Sequence, residues 1–88
     1  MDLGFFTMPI HPPERSLGET LKEDREFALF ADELGFVEGF FGEHITDAAE
    51  TITSSLIFIA WILQDTRNIK LGTGTVNMPN HHPVMVAA

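Results

Sequence analysis

Glu43 and His44 stand side by side in a chain with 4 His and no Cys. An imidazole titrates near neutrality, so His44 next to a carboxylate suits a general acid or base, or a group that polarises a cofactor. The structural alternative is a histidine that caps a loop or bonds a backbone carbonyl. Glu43 could orient His44 or pair with a basic residue elsewhere. Because neighbours on a strand point to opposite faces, both could enter one pocket only if the strand has already ended. His11, Glu43, His44, Asp47, His81 and His82 are all metal-ligand types, but neither His-x-His after the first strand nor His-Glu-x-x-His occurs, so no metal is expected. His81 and His82 precede Pro83 and read as the approach to a helix. With no Cys, thiol chemistry is excluded and any oxidation must come from a bound cofactor.

Gly72-Thr73-Gly74-Thr75 matches neither the Gly-x-Gly-x-x-Gly fingerprint nor the Gly-x4-Gly-Lys-Ser/Thr loop, and no Lys or Arg follows it. It is a poor phosphate cradle. It suits a place where backbone approaches a flat ligand, since glycines inside a strand mark such approaches. The alternative is a barrel interior that needs small residues near its axis. Trp61 and the aliphatics around it read as core, with a subunit interface as the functional alternative.

Three strands must carry these residues. Residues 3–8 are short, aromatic-rich and stopped by Pro9; residues 37–42 run into Glu43 and His44; residues 70–76 hold the glycine pair. A helix starts at Ser16 or Thr20, each with Glu at capping-box spacing, and ends at Gly35. Its apolar face is predicted to be Phe27, Phe30, Ala31 and Leu34. Glu19, Glu23 and Asp24 crowd its first turns, which favours the dipole and reads as a solvated face. A second helix over 53–67 is apolar on nearly every side and must be covered on more than one. Residues 83–88 open a third.

Strand starts separated by roughly 30–35 residues give the order β-α-β-α-β-(α) of right-handed parallel units. Function then belongs at the carboxyl ends of the strands: Thr7, Met8 and His11; Glu43, His44 and Asp47; Gly74, Thr75, Val76 and Asn77. Parallel strands are covered on both faces, and here that cover is incomplete. The 88 residues are read as a single unit, the N-terminal part of a longer α/β protein.

The net charge of -8, with 5 Lys and Arg against 13 Asp and Glu, argues against nucleic acid and against an anionic membrane surface. The longest apolar run, 56–63, is far short of the roughly 20 residues of a membrane span. The first residues lack a signal peptide's basic region and cleavage site, so the cytoplasm is the expected location.

Five stretches resemble one family. They are Leu3-Gly4-Phe5-Phe6, Ala31-Asp32-Glu33-Leu34-Gly35-Phe36, Phe41-Gly42-Glu43-His44, Lys70-Leu71-Gly72-Thr73-Gly74 and His82-Pro83-Val84. In order and spacing they resemble the N-terminal part of the bacterial luciferase-like, flavin-dependent monooxygenases. The resemblance implies a TIM-type (β/α)8 barrel, of which this chain supplies the first βαβαβ portion. It implies reduced flavin, usually FMN from a separate reductase and in some branches a deazaflavin, acting with O2 to hydroxylate or oxidise a small organic substrate. His44 matches the histidine placed beside the flavin, and Glu43 the acidic residue before it. Ile45 stands where many members have a second His. Gly74-Thr75 matches a non-prolyl cis peptide against the flavin ring, with Thr73 beside it. A homo-oligomer is expected. The chain alone is expected to be inactive; the other readings are a non-catalytic truncated fragment needing partner chains, and a barrel metallohydrolase.

Overall fold

The computed structural model describes residues 2–45, 48–77, 79 and 81–87, the last stretch without the Met85 side chain. Asp47 and Ala88, both singled out above, lie outside the described residues. Three strands, β1 (Gly4–Thr7), β2 (Glu38–Phe41) and β3 (Lys70–Thr73), form a parallel sheet in the order β1-β2-β3. Between them run α1 (Leu17–Glu33) and α2 (Ser55–Leu63), and α3 (Pro83–Ala87) follows β3. The expected βαβαβ order is observed, each strand trimmed by one to three residues at its ends.

The register places Phe5, Gly39 and Leu71 at one level and Phe6, Phe40 and Gly72 at the next. Side chains alternate across a strand, so Phe5, Phe41 and Leu71 meet the helices. Phe41 is fully buried among Ala28, Ile52, Phe58 and Ile62. Its ring lies 4.9 Å from that of Phe58 and 5.6 Å from that of Phe5. Each such side chain contributes about 1.5–3 kcal/mol by leaving water, so this layer holds the sheet to its helices. On the other face Phe6 and Phe40 remain exposed.

Ser16 caps α1 through the Glu19 amide, and Gly35 takes φ +90° after its end, as the capping pattern predicts. The buried stripe differs from the expected one. It is Thr20, Asp24, Ala28 and Ala31, whereas Phe27, Phe30 and Leu34 are at least half exposed. The small alanines let the helix axis approach the sheet, and Phe27 leans from the flank, edge-on to Phe5 at 5.1 Å. Only Ala31 of the predicted face is inward.

The second helix is shorter than expected. Ser54 caps it through Ile57 N–H, the amides of Asp65 and Thr66 close the turn after Leu63, and Asp32 then receives the amides that lead into β3. Its carboxylate accepts from the N–H groups of Arg67, Asn68 and Ile69 at 2.6, 3.1 and 2.9 Å. Ser55, Phe58 and Ile62 are buried, while Ile57, Trp61 and Leu63 are exposed in this chain. No helix among the described residues is long and apolar enough to cross a membrane.

Candidate active site

β2 ends at Phe41, yet the sheet ladder continues at its carboxyl edge: Gly42 N–H donates to Thr7 O at 3.0 Å and Gly74 N–H to Phe41 O at 2.7 Å. The residues after the three strands are thereby held side by side. Glu43 turns inward here and is 3% exposed. One carboxylate oxygen accepts from the N–H and the hydroxyl of Ser55, each at 2.8 Å. The other accepts from Asn77 N–H at 2.8 Å and lies 2.9 Å from His81 Nε2. The Asn77 side-chain amide also donates to Glu43 O at 3.0 Å. Burial alone would raise this carboxyl, but the donors from Asn77, His81 and Ser55 outweigh it and hold the pKa down to about 2. An ionised carboxylate only accepts, so His81 Nε2 carries the donated proton.

Glu43 therefore joins three elements: the end of β2, the first turn of α2 and the segment after β3. It does not orient His44. That histidine is 41% exposed at the side chain, and its Nε2 lies 3.1 Å from Glu50 Oε2. Its backbone N–H donates to Ile52 O at 2.9 Å. Glu43 and His44 thus diverge, although β2 has already ended at Phe41. The loop after β1 packs over this region through His11 N–H to Ala49 O at 2.7 Å and an antiparallel bridge of Ile10 with Glu50.

His11 is engaged by α1. Its Nε2 lies 2.8 Å from Asp24 Oδ1, and Glu23 beside it is paired with Arg15 through two hydrogen bonds. Asp24 is thus a buried partner on α1, not part of a solvated face, and burial pushes its carboxyl above the ordinary value against the pull of His11. His82 Nδ1 accepts from Val84 N–H at 3.1 Å, which fits a residue leading into α3, whereas His81 is diverted to Glu43. Among the described residues no three His, Asp or Glu side chains gather as a metal site.

At the end of β3 the Gly74–Thr75 peptide is cis. Gly74 lies on the open face: a Cβ built there would stand 2.7 Å from Phe6 Cε2 and 3.3 Å from Phe40 Cβ. Gly72 is likewise roofed by the Phe40 ring. Bare backbone and two exposed aromatic rings make a flat apolar floor, a surface that fits an aromatic ring system and offers no cationic grip for a phosphate. Thr75 is exposed beside it. Thr73 pairs in register with Phe41 and shares its helix-facing side, so its side chain is turned from that floor.

The site reading from sequence missed Ser55, Asn77, His81 and Glu50 as partners. Ser55 alone carried a local signal, since a serine pair ahead of an apolar run marks helix amides able to meet a carboxylate. Asn77 and His81 meet Glu43 across chain separations that no spacing rule reaches, and Glu50 comes near His44 within the irregular connection after β2.

The sequence profile of the luciferase-like monooxygenase family matches residues 1–88. The chain belongs to this family. Among luciferase-like relatives, 4-hydroxyprotoasukamycin monooxygenase of Streptomyces nodosus subsp. asukaensis is 42% identical over all of this chain and 24% of its own length. Limonene 1,2-monooxygenase of Rhodococcus erythropolis is 38% identical over 99% of this chain and 22% of its own. In structure, the oxygenating constituent of 3,6-diketocamphane monooxygenase from Pseudomonas putida, a type II Baeyer–Villiger monooxygenase solved with FMN, superposes with a TM-score of 0.89 at 29% identity. That match covers 99% of this chain and 24% of the other. The chain thus spans about a quarter of the luciferase-like proteins it matches, as the N-terminal βαβαβ portion of their TIM-type barrel.

Proposed function

We propose that the protein is an oxygenase using reduced FMN, supplied by a separate flavin reductase, with O2 and a small apolar organic substrate. One oxygen atom enters the substrate and the other leaves as water. The observation that carries this reading is that, in a luciferase-like chain, His44 follows β2 and the bare Gly74–Thr75 floor follows the adjacent strand β3. A relative solved with FMN and relatives named for limonene and 4-hydroxyprotoasukamycin support it.

Reduced flavin, when bound, supplies the electrons that activate O2. The backbone at Gly74 and Thr75, with Thr73 behind it in the strand, and the rings of Phe6 and Phe40 form the floor for the flavin ring. His44 holds or moves a proton at the reacting centre. Glu43 acts by position: through Asn77 it anchors the segment that follows the floor. The flavin phosphate is gripped by residues other than 72–75. The protein acts in the cytoplasm as a homo-oligomer, a reading in keeping with its charge of -8 and the exposed apolar side of α2.

The test supplies a flavin reductase, NADH, FMN and labelled 18O2 with a panel of alicyclic ketones and alkenes, and follows product mass. Incorporation of one labelled atom is expected, lost by about 10²–10⁴-fold in His44→Ala. A parallel arm replaces FMN with a deazaflavin. Absence of both flavin binding and label in either arm overturns the reading. A second reading, a non-catalytic piece that needs partner chains, is favoured by the exposure of Phe6 and Ile57, 57% and 73%. Light scattering showing a heat-stable monomer of these 88 residues would remove it.

A further inference from the structure

Phe41 and Glu43 both turn towards α2, where they meet Phe58 and Ser55, and Gly42 between them faces the open side of the sheet. Only Gly35 among the glycines takes a positive φ, so Gly42 is not needed for its backbone conformation. What it provides is room. A Cβ built on Gly42 would stand 2.6 Å from Met8 Cγ, 3.4 Å from Met8 Sδ and 3.4 Å from Gly74 O, the carbonyl of the cis peptide. The Met8 side chain therefore fills the notch that the missing Cβ leaves beside that peptide. Met8 follows Phe6 by two residues, as Gly42 follows Phe40, and the ladder still joins the strands there through Gly42 N–H to Thr7 O. This pair thus lies about 6–7 Å beyond the two rings, towards the carboxyl end. Gly42 is buried and Met8 is 44% exposed. The thioether is seated on backbone and looks into open space, which core packing does not require.

We propose that Met8 is the specificity-determining residue of the oxygenase site: seated on Gly42, it forms the wall at the β1 end of the floor and sets how bulky a carbon skeleton is accepted beside the flavin ring. That role rests on the oxygenase reading for the identity of the site. A methionine suits such a wall, because its unbranched, polarizable chain presents apolar surface and adapts to the shape of a ligand by bond rotation. Met8, Phe6 and Phe40 carry no charge and no strong hydrogen-bonding group. This end of the site therefore selects by volume, and the compounds it fits are uncharged and alicyclic. Shortening the wall should admit bulkier rings, and lengths that differ by one methylene are discriminated about 10–200-fold in such pockets.

Labelled-oxygen turnover of the whole protein, with FMN and a flavin reductase, compares kcat/KM along cyclic ketones from cyclopentanone to cyclododecanone and along the corresponding cycloalkenes. Met8→Ala is expected to raise the ratio of the bulkiest to the most compact substrate at least about tenfold. Met8→Leu, which conserves volume, should keep that ratio within about threefold of the wild type. An unchanged ratio in Met8→Ala overturns the proposal. A second measurement needs no turnover: methionine labelled with 13C at the ε-methyl, its Met8 signal assigned by loss in Met8→Leu, is followed as oxidised FMN and then the best substrate of the series are added. The Met8 methyl signal is expected to shift when the substrate is added. A signal unmoved at saturation overturns the proposal, whether or not Met8→Ala folds. Failure of the oxygenase reading would appear separately, as absent label along the whole series in the wild type.

Discussion

Glu43 and Asp24 are both buried carboxylates beside a histidine, and their surroundings push them in opposite directions. Glu43 collects the amides of Ser55 and Asn77 besides His81, and its pKa falls from 4.5 to about 2. A lowered folded-state value stabilises above the ordinary pKa, and this stability is lost as pH falls from about 5 towards 2. Its size is on the order of 3 kcal/mol. Urea denaturation followed by Trp61 fluorescence should show that loss in the wild type, whereas Glu43→Gln should be destabilised already at neutral pH and lack most of the acid dependence. Asp24 is raised by burial, and its Oδ2 has no partner among the described residues. Its contribution is greatest below the ordinary value and declines as pH rises through the raised one. Asp24→Asn, which keeps an acceptor for His11 and removes the buried charge, should therefore cost less than about 1 kcal/mol at neutral pH. Asp24→Leu should cost more, and chemical denaturation compares the two. The chemistry-bearing types were legible at this scale; the partner of each was not, because Glu43 finds its partners on other elements and His44 lies near Glu50 within an irregular connection.

The elements show what a glycine or a cap contributes. A Cβ on Gly39 would run into the Phe5 ring, which is wedged edge-on against Phe27, Phe36 and Phe41 and cannot retreat. A Cβ on Gly74 meets the rim of Phe6, which is free to swing on the open face. Gly39→Ala should cost about 1–3 kcal/mol as overpacking does, and Gly74→Ala clearly less; thermal melts of the two rank them. Asp32 terminates the turn after α2 by accepting three amides, much as an N-cap does. Asp32→Ala should cost about 1–2 kcal/mol, read as a lower urea midpoint with unchanged slope. The strand order, the Ser16 cap and the Gly35 stop followed from local patterns. The inward face of α1 did not, since Phe27 and Phe30 outweigh Ala28 in hydrophobicity while only the alanines allow the close approach.

Over the whole molecule, one sheet face is sealed by α1 and α2 and the other carries Phe6 and Phe40 in the open. The 88 residues alone should bind a hydrophobic dye and self-associate, and replacing Phe6 by Asp on the open face should reduce both with little effect on the sealed side. Light scattering and dye fluorescence provide the check. The charge of -8 does not sit on one solvated face, since Asp24, Asp32, Glu43 and Glu50 are each spent on an internal contact.

By itself the sequence determined the βαβαβ order, the family and the strand ends where chemistry belongs, because these depend on periodicity, capping and short motifs that act within one turn or strand. Tertiary structure alone decided that Glu43 ties β2 to Ser55, Asn77 and His81, and that Thr73 turns from the floor that Gly74 and Phe6 share. Those outcomes depend on register and on contacts between residues distant in the chain, where the direction of a side chain, and not its type, selects its partner.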